Sequence, residues 1–515
     1  MKRVLAVALL LFFCGKVQAQ TSNSRHSHPN GKQIVAECVA GMGGQSQLQN
    51  VKTLTFHSLS HTFLRSISSS DSLPGLFAYE TKEVTLQPQL QLIAETSHWQ
   101  WTESEPANVS SLTIGPEGGF VERNGKRSPV TPDKFYAAID ALAANPISAL
   151  LSASAAPELK LDGSSTGEYR ISFPGTVYQL PIETTLGIDK ITYQLRWAEI
   201  KHSYSHDIYN AMWGDQTKRF DFSSWYLDPS GVSFPTKWKL STGALEEGQI
   251  SLLGLKINPE PPVALAIPEE FKNSFDGFLH QSAADLAKRN LGNGDHLEIQ
   301  PGMVMLPGKE RAYNSLIVRQ DKGIMIVEGP HSNANSEQVL AYARSAFPNT
   351  PVLGVVSTDY FGFHVAGLPA YAREHVPIYV LDENVDLVRR MLSSNNSERK
   401  STERKSGQLL HPVQNRLEIG SGVNRMALLP FRTSTGARMM AVYFRDAKLL
   451  YCSDMFLPMA WAHQYWAEHL SQIRDLIERE KLDVQSVAGV SAPPQNWKDL
   501  NDSLPPKPGG SRLMQ

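Results

Sequence analysis

The 515-residue sequence is poor in cysteine, and it has no surplus of positive charge. It contains 3 cysteines, of which Cys14 lies in an N-terminal apolar run. Cys38 and Cys452 are far apart in the chain, so we expect two buried thiols and no disulfide, even in an oxidising compartment. Lysine and arginine total 49 against 51 acidic residues, for a net charge of −2, which argues against a nucleic-acid partner. The sequence also lacks a glycine-rich phosphate loop and a G-x-S-x-G nucleophile motif, so neither chemistry is expected.

Long apolar runs are missing after the N-terminus. Lys2 and Arg3 precede the apolar residues 4–14, and a small-residue cleavage site ends at Ala19. The run is too short to span a bilayer as a stable helix and has the length of a signal peptide. We therefore expect residues 1–19 to be a cleaved signal peptide, the mature protein to be secreted or periplasmic, and no transmembrane segment to remain. The oligomeric state is left open.

The N-terminal half shows the alternation of apolar and polar residues that is typical of half-buried antiparallel strands. Residues 20–30 are polar and predicted to be disordered, whereas residues 31–258 are predicted to form a mostly antiparallel β domain. Residues 51–56 and 232–240 are examples of its strands. One helical insert, residues 132–151, interrupts the pattern.

The C-terminal half has a different pattern, in which apolar strands alternate with amphipathic helices, as in α/β domains. Residues 259–296 are predicted to be a linker, rich in proline at its start, with a helix at residues 283–290. An α/β domain is then expected over residues 297–500, followed by a C-terminal tail, residues 501–515. The polar, charge-rich residues 393–408 are predicted to be an exposed loop.

The N-terminal domain resembles the LolA-like half-barrels of exported bacterial proteins. The similarity lies in the Gly-Met-Gly-Gly helix end at residues 41–44 and in the closing segment WYLDPSGVSFP, residues 225–235. Half-barrels of this kind curve a sheet around a helix, and they either hold a lipid or serve as spacers. The resemblance leaves open which of these roles applies.

The C-terminal domain resembles metallo-β-lactamase-fold hydrolases in five segments that follow one another in the family's order. These are an opening hairpin (314–318 and 323–329), the loop VVSTDYFGFHVAG (355–367) at the place of a T-H-x-H-x-D-H-x-x-G motif, a strand pair (436–444 and 449–454) and a final strand, VAGVSAPP (487–494). The resemblance implies an αββα sandwich whose strand ends carry ligands for one or two zinc ions.

Most of the positions that carry zinc ligands in that family hold other residues in this chain. In chain order they are Asp359, Phe361, Phe363, His364, Thr433, Asp454 and Ser491. Three of these can bind a metal, so the resemblance implies Asp359, His364 and Asp454 as metal ligands, with His364 and Asp454 as the catalytic residues. Two carboxylates and one histidine suit zinc, iron or manganese if all three converge on one point, and otherwise there is no metal.

Each of these residues also has a purely structural interpretation. Asp359 could bind loop amides, His364 could cap a short helix, and Asp454 could cap a turn. His331 is the best alternative ligand. Cys452 could serve as a nucleophile, but a cysteine at a strand end is more often a small buried side chain.

Two further histidines, His463 and His469, are placed on a helix predicted over residues 460–479, in its core-facing or pocket-facing aromatic surface.

Two functions follow from the sequence as a whole. The first is an exported hydrolase with an altered metal site that activates water against an ester or amide bond. The second is a pseudoenzyme that binds a small molecule, a lipid or a protein partner.

Overall fold

The computed structural model describes twelve stretches of the chain: residues 29–63, 76–101, 108–162, 166–207, 210–242, 245–280, 296–307, 313–330, 332–393, 409–433, 435–456 and 467–505. The predicted signal peptide, the predicted helix at residues 283–290 and most of the polar loop at residues 393–408 lie outside these stretches. His331 and His463 also lie outside them.

The N-terminal half folds into one antiparallel sheet. Within the described residues the sheet has thirteen strands, in the order β6-β5-β4-β3-β2-β1-β13-β12-β11-β10-β9-β8-β7. Their bounds are β1 Leu54–Phe63, β2 Leu76–Gln87, β3 Leu92–Trp101, β4 Asn108–Gly115, β5 Gly118–Arg123, β6 Lys126–Pro129, β7 Lys160–Asp162, β8 Glu168–Val177, β9 Leu180–Asp189, β10 Leu195–Ser203, β11 Asp215–Leu227, β12 Ser233–Thr242 and β13 Leu245–Ile257. The prediction of a mostly antiparallel β region is confirmed.

Helices contribute to the core on the inner face of this sheet, among them Gly31–Gly41, Gln45–Gln49, Pro132–Ala144 and Pro146–Ala155. Ile139 and Leu150 from the helices share one buried cluster with Ile171 and Leu186 from β8 and β9. The first helix begins at an N-cap, Asn30, whose side chain accepts a hydrogen bond from the amide of Gln33. The sequence placed Asn30 in the disordered segment, and this boundary was wrong.

The single helical insert predicted for residues 132–151 is two helices. Pro146 has no amide hydrogen to continue the first helix. The side chain of Asn145 accepts hydrogen bonds from the amides of Ile147 and Ser148 at 3.1 and 3.3 Å, and so begins a second helix. In the described part of the chain no single helix has the length and apolarity to cross a membrane. The pair formed by these two helices meets that test jointly and is bent by 68°.

The first part of the predicted linker packs against the N-terminal core. A short helix, Asp276–Leu279, places Phe275 and Phe278 in the same buried cluster as Phe135, with ring centroids 4.7 and 5.4 Å from that of Phe135. The linker therefore begins as an ordered extension of the N-terminal core.

The C-terminal half contains two mixed sheets. One consists of β14 Leu297–Gln300, β15 Met303–Leu306, β16 Ser315–Gln320, β17 Gly323–Val327, β18 Val352–Ser357, β19 Ile378–Leu381 and β20 Leu410–Val413, in that order. The other consists of β21 Leu417–Ile419, β22 Met426–Pro430, β23 Met440–Phe444, β24 Leu449–Tyr451, β25 Ser486–Gly489 and β26 Ala492–Asn496. Strands β17 to β20 pair in parallel, as do β24 and β25.

The inner faces of these two sheets share one apolar core. Leu316 and Val327 of the first sheet belong to the same buried cluster as Leu428 and Tyr451 of the second. Separate clusters lie beneath the helices Asn333–Ala346, Gly362–Val365, Leu368–Arg373 and Val385–Leu392, and beneath Ala467–Arg479 and Trp497–Asp502. The prediction of an α/β region is supported, while its assignment to the metallo-β-lactamase type stays a prediction. Met212, from the N-terminal half, packs into the first of these helix-covered clusters and ties the two halves together.

Candidate metal centre

The candidate centre lies where strands of the two facing sheets end. Glu328 follows β17, Asp359 comes two residues after the end of β18, and Asp454 comes three residues after the end of β24. Because β17 and β18 are parallel, their carboxyl ends lie at the same edge of the sheet. The amide of Met440 in β23 donates a 3.0 Å hydrogen bond to the carbonyl of Thr358, so the second sheet is joined to the first beside Asp359.

The three ligands predicted from the sequence converge on one point. One ligand atom from each of Asp359, His364 and Asp454 lies within 4.8 Å of the other two. His364 Nε2 is 3.1 Å from an Asp454 carboxylate oxygen. Asp359 and His364 are buried, whereas the Asp454 side chain keeps 13% of its surface exposed. The centre is therefore enclosed on two sides and open toward Asp454.

Asp359 combines a structural bond with an unused oxygen. Its Oδ1 accepts hydrogen bonds from the amides of Tyr360 and, at 3.1 Å, Phe361, as a turn aspartate does. Its Oδ2 is buried and has no hydrogen-bond partner among the described residues. Burial raises the pKa of Asp359 to about 7; His364 opposes this rise and Asp454 adds to it. Buried polar atoms are normally satisfied, so the lack of a partner makes Oδ2 the candidate ligand atom of this side chain.

His364 is held from both sides of its ring by carboxylates. Its Nδ1 lies 3.0 Å from Glu328 and its Nε2 faces Asp454. Burial lowers the pKa of His364, but Glu328 and Asp454 outweigh that effect and raise it well above its ordinary value. A carboxylate on one ring nitrogen is the arrangement that orients a metal-binding histidine, because it fixes the proton there and leaves the other nitrogen as the ligand.

Glu328 is the residue of the centre that the sequence did not single out. It is fully buried, and its second carboxylate oxygen accepts a hydrogen bond from the Thr358 hydroxyl. The hydroxyl oxygens of Thr358 and Ser453 lie 2.8 Å apart, so the bonded chain runs from β17 across to the Asp454 turn. In the sequence, the signal for Glu328 was a charged residue directly after the strand Gly323–Val327, whose residues are all buried.

The turn that presents Asp454 depends on a close approach between backbone segments. Ser453 has a positive φ of 56°, and its carbonyl accepts a 3.3 Å hydrogen bond from Val490. Gly489 lies against this turn: a Cβ there would be 2.1 Å from the Phe456 carbonyl oxygen and 2.8 Å from that of Ser453. Glycine at position 489 is therefore needed for Asp454 to point into the centre.

The remaining predicted positions do not supply ligands to this group. Thr433 accepts a 3.2 Å hydrogen bond from the amide of Gly436 and so closes its own loop. Ser491 and Phe361 are half-buried and outside the ligand group. The side chain of Phe363 lies outside the described residues. His469 is buried near Asp454; burial lowers its pKa to about 4, with Asp454 opposing, so the imidazole is neutral.

The two cysteines in the described part of the chain, Cys38 and Cys452, are buried and free, as expected from the sequence. Burial raises the pKa of the Cys452 thiol well above its ordinary value, which disfavours the thiolate that nucleophilic attack would need. Cys38 is buried in the N-terminal core, where burial likewise raises its pKa, to about 12. The structure therefore favours the interpretation of Cys452 as a small buried side chain.

The chemistry of the donor set fits a divalent cation. Glu328, Asp359 and Asp454 bring three carboxyl groups together with one imidazole, and in the described part of the chain no lysine or arginine pairs with any of them. Oxygen and imidazole-nitrogen donors are the ligands of zinc, manganese and ferrous iron in proteins. The unused Asp359 Oδ2 provides the independent sign that a further partner belongs there.

Comparisons with known proteins give distant likenesses only. No protein-family model matches the chain, and no curated protein matches it significantly. Among solved structures, the DIM-1 metallo-β-lactamase is similar at 13% identity over 40% of this chain and 94% of that one, with a TM-score of 0.31. A metallo-β-lactamase from Pontibacter korlensis is similar at 14% identity over 41% and 96%, with a TM-score of 0.31.

A stereoselective inverting sec-alkylsulfatase, Pisa1 from Pseudomonas sp., is similar at 13% identity over 42% of each chain, with a TM-score of 0.30. The similar structures are thus metallo-β-lactamase-fold proteins and an alkylsulfatase. At this level of similarity nothing about the site or the reaction of the present chain follows from them.

Proposed function

We propose that residues 297–500 form a metallo-β-lactamase-type αββα unit that acts as a divalent-metal-dependent hydrolase, within an exported protein. The observation that carries the proposal is that one ligand atom each from Asp359, His364 and Asp454 lies within 4.8 Å of the other two, while Asp359 Oδ2 is buried and has no hydrogen-bond partner in the described part of the chain. The substrate class inferred is an ester, amide or related bond, because a water molecule activated by a metal attacks such bonds.

Asp359, His364 and Asp454 would hold the ion. When bound, the ion supplies Lewis-acid activation of water and of the substrate oxygen at neutral pH. Glu328 holds the proton on His364 Nδ1, so that Nε2, once it has released its own proton to solvent, can present a lone pair to the ion. The amides of Tyr360 and Phe361 hold Asp359 Oδ1 and leave Oδ2 directed to the ion. Asp454, the ligand with solvent exposure, marks the side from which substrate approaches.

The test begins with metal binding. The purified mature protein is stripped with a chelator and titrated with Zn²⁺, Mn²⁺ and Fe²⁺ under anaerobic conditions. We expect one equivalent of at least one ion to bind, and Asp454→Asn and His364→Ala to lose that binding. His411→Ala replaces an exposed histidine on β20 and serves as the matched control. A wild-type protein that binds none of the three ions would overturn the metal centre.

Catalysis is tested separately with the metal-loaded protein on chromogenic esters, amides and sulfate esters. Hydrolysis that is lost in Asp454→Asn and kept in His411→Ala would support the proposal. Stoichiometric metal binding without turnover of any bond in this set would overturn the hydrolase and favour a metal-binding protein without catalysis.

A further inference from the structure

The carboxylates of the metal centre carry more negative charge than one divalent ion neutralises. Glu328, Asp359 and Asp454 contribute three carboxylates. The imidazole of His364 lies between two of them, with Nδ1 3.0 Å from Glu328 and Nε2 3.1 Å from Asp454. A histidine that binds a metal is neutral, so the centre loaded with one divalent ion keeps one net negative charge. Asp359 and Asp454 balance the ion, and the surplus charge is that of Glu328.

Burial keeps this surplus charge from being screened by water. Glu328 and His364 are fully buried, and Asp359 keeps 1% of its surface exposed. The second oxygen of Glu328 accepts a hydrogen bond from Thr358, which is a neutral partner. In the described part of the chain no lysine or arginine forms an ion pair with any of the three carboxylates. Charges in such surroundings interact more strongly than they do in water, so the surplus charge acts on whatever enters the centre.

A fourth carboxylate is connected to the turn that presents Asp454. The sulfur of Met455, the next residue, lies 3.7 Å from the Thr435 hydroxyl, and that hydroxyl donates to Gln472 at 2.8 Å. Gln472 in turn donates to the carboxylate of Glu468 at 3.2 Å. The open side of the centre is therefore bordered by further negative charge.

The cation that packs against the Asp359 loop is Arg438. Its guanidinium lies 5.5 Å from the centre of the Tyr360 ring and donates to the Glu383 carbonyl at 3.0 Å. The single positive charge of Arg438 matches the single negative charge of Glu468. Among the described residues named around the centre, one uncompensated negative charge therefore remains once an ion is bound.

We propose that the centre selects substrates whose groups beside the scissile ester or amide bond are neutral or positively charged, and that Glu328 sets this selection. The inference rests on the proposed function, because it assumes a bound ion and hydrolysis. A carboxylate, phosphate or sulfate group that enters beside Asp454 meets a like charge, which is unfavourable, whereas an alkyl or ammonium group does not. A site built in this way discriminates by repulsion as well as by contact.

The first test measures binding and needs no turnover. The protein saturated with the ion that it binds stoichiometrically is titrated calorimetrically with azide, an anion, and with imidazole, a neutral ligand, and the metal-free protein provides the blank. Glu328→Gln keeps the size of the side chain and removes its charge. We expect this variant, at saturating ion, to bind azide at least about tenfold more tightly than the wild type, while its affinity for imidazole changes less than about threefold.

Thr358→Val is the matched control, because it removes the hydroxyl that donates to Glu328 and leaves every charge in place. Its ratio of azide to imidazole affinity is expected to equal that of the wild type. If Glu328 only orients His364, its replacement lowers both affinities alike, and this result would overturn the charge selection while the metal centre stands. A wild type that binds no ion would overturn both.

The second test compares two substrates between the same proteins, so that differences in intrinsic reactivity cancel. One is 4-nitrophenyl valerate, and the other is the mono-4-nitrophenyl ester of glutaric acid, whose far end is a carboxylate. We expect Glu328→Gln to raise the ratio of kcat/KM for the anionic ester to that for the neutral ester at least about tenfold, and Thr358→Val to leave it unchanged. An unchanged ratio in Glu328→Gln would overturn the selection and leave the hydrolase standing, whereas no turnover of either ester by any of the proteins would overturn both.

Discussion

Replacing Asp359 with asparagine is expected to stabilise the metal-free protein while it abolishes metal binding. Asparagine keeps the oxygen that accepts from Tyr360 and Phe361, and it removes the negative charge from the buried, unbonded Oδ2. Among the described residues no hydrogen-bond donor reaches Oδ2, and burial outweighs the attraction of His364, so the charge is a cost to folding until an ion binds.

The magnitude follows from the pKa of Asp359, which burial raises from 3.8 to about 7. Between these values the folded state holds more protons than the unfolded state, so stability falls as the pH rises through this window. The difference between these two pKa values corresponds to about 4 kcal/mol of folding free energy. At about pH 8 the metal-free wild type is destabilised by this amount, and the asparagine variant is not. At about pH 5 the difference in stability between the two proteins should be less than half as large.

Hydrogen exchange of the amides in β18 and β24 measures this difference in stability close to the centre. The measurement does not assume that the two halves of the chain unfold together. The wild type and Asp359→Asn are compared in excess chelator at both pH values, with Asp386→Asn, an exposed carboxyl, as the control. An ion at about one hundred times its dissociation constant should stabilise only the wild type and Asp386→Asn, by about 2.7 kcal/mol. Lower protection in Asp359→Asn at about pH 8, or a difference that does not change with pH, would refute the reasoning.

Three further changes test other parts of the structure. Glu328→Gln should lower metal affinity about 10- to 100-fold in a metal titration, because His364 loses the carboxylate that orients it; an unchanged affinity contradicts this role. Asp140→Asn should destabilise the N-terminal sheet by about 3–5 kcal/mol in urea unfolding, because buried Lys218 loses its partner at 3.1 Å. Burial raises the pKa of Asp140, but Lys218 and His202 outweigh burial and hold that pKa below its ordinary value of 3.8. The stability that this carboxylate contributes is therefore present above pH 3.8 and is lost as the pH falls through the lowered pKa. A free energy of unfolding that does not change over this acid range would contradict the pairing. Gly489→Ala should cost about 1–3 kcal/mol and weaken metal binding, because a Cβ would meet the Phe456 carbonyl at 2.1 Å; unchanged melting and binding would exclude this.

Local pattern was enough to predict that the first half of the chain is mostly antiparallel β and that the second half alternates strands and helices. Alternation every second residue depends on which face of a strand is buried, and residues 232–240 show it in the sequence as β12 does in the structure. The break in the helical insert was missed, although Asn145-Pro146 carried the signal, because proline at the first position of a helix begins a new helix as readily as it ends an old one.

The sequence by itself determined which side chains stand at the strand ends, and with them the candidate ligands Asp359, His364 and Asp454. Tertiary structure alone decided that they meet, because His364 and Asp454 are 90 positions apart and follow strands of different sheets. Glu328, 36 positions before His364, became part of the centre only when parallel pairing placed the ends of β17 and β18 side by side. The pairing of β1 with β13 was likewise beyond the sequence, since it joins strands at opposite ends of the N-terminal half.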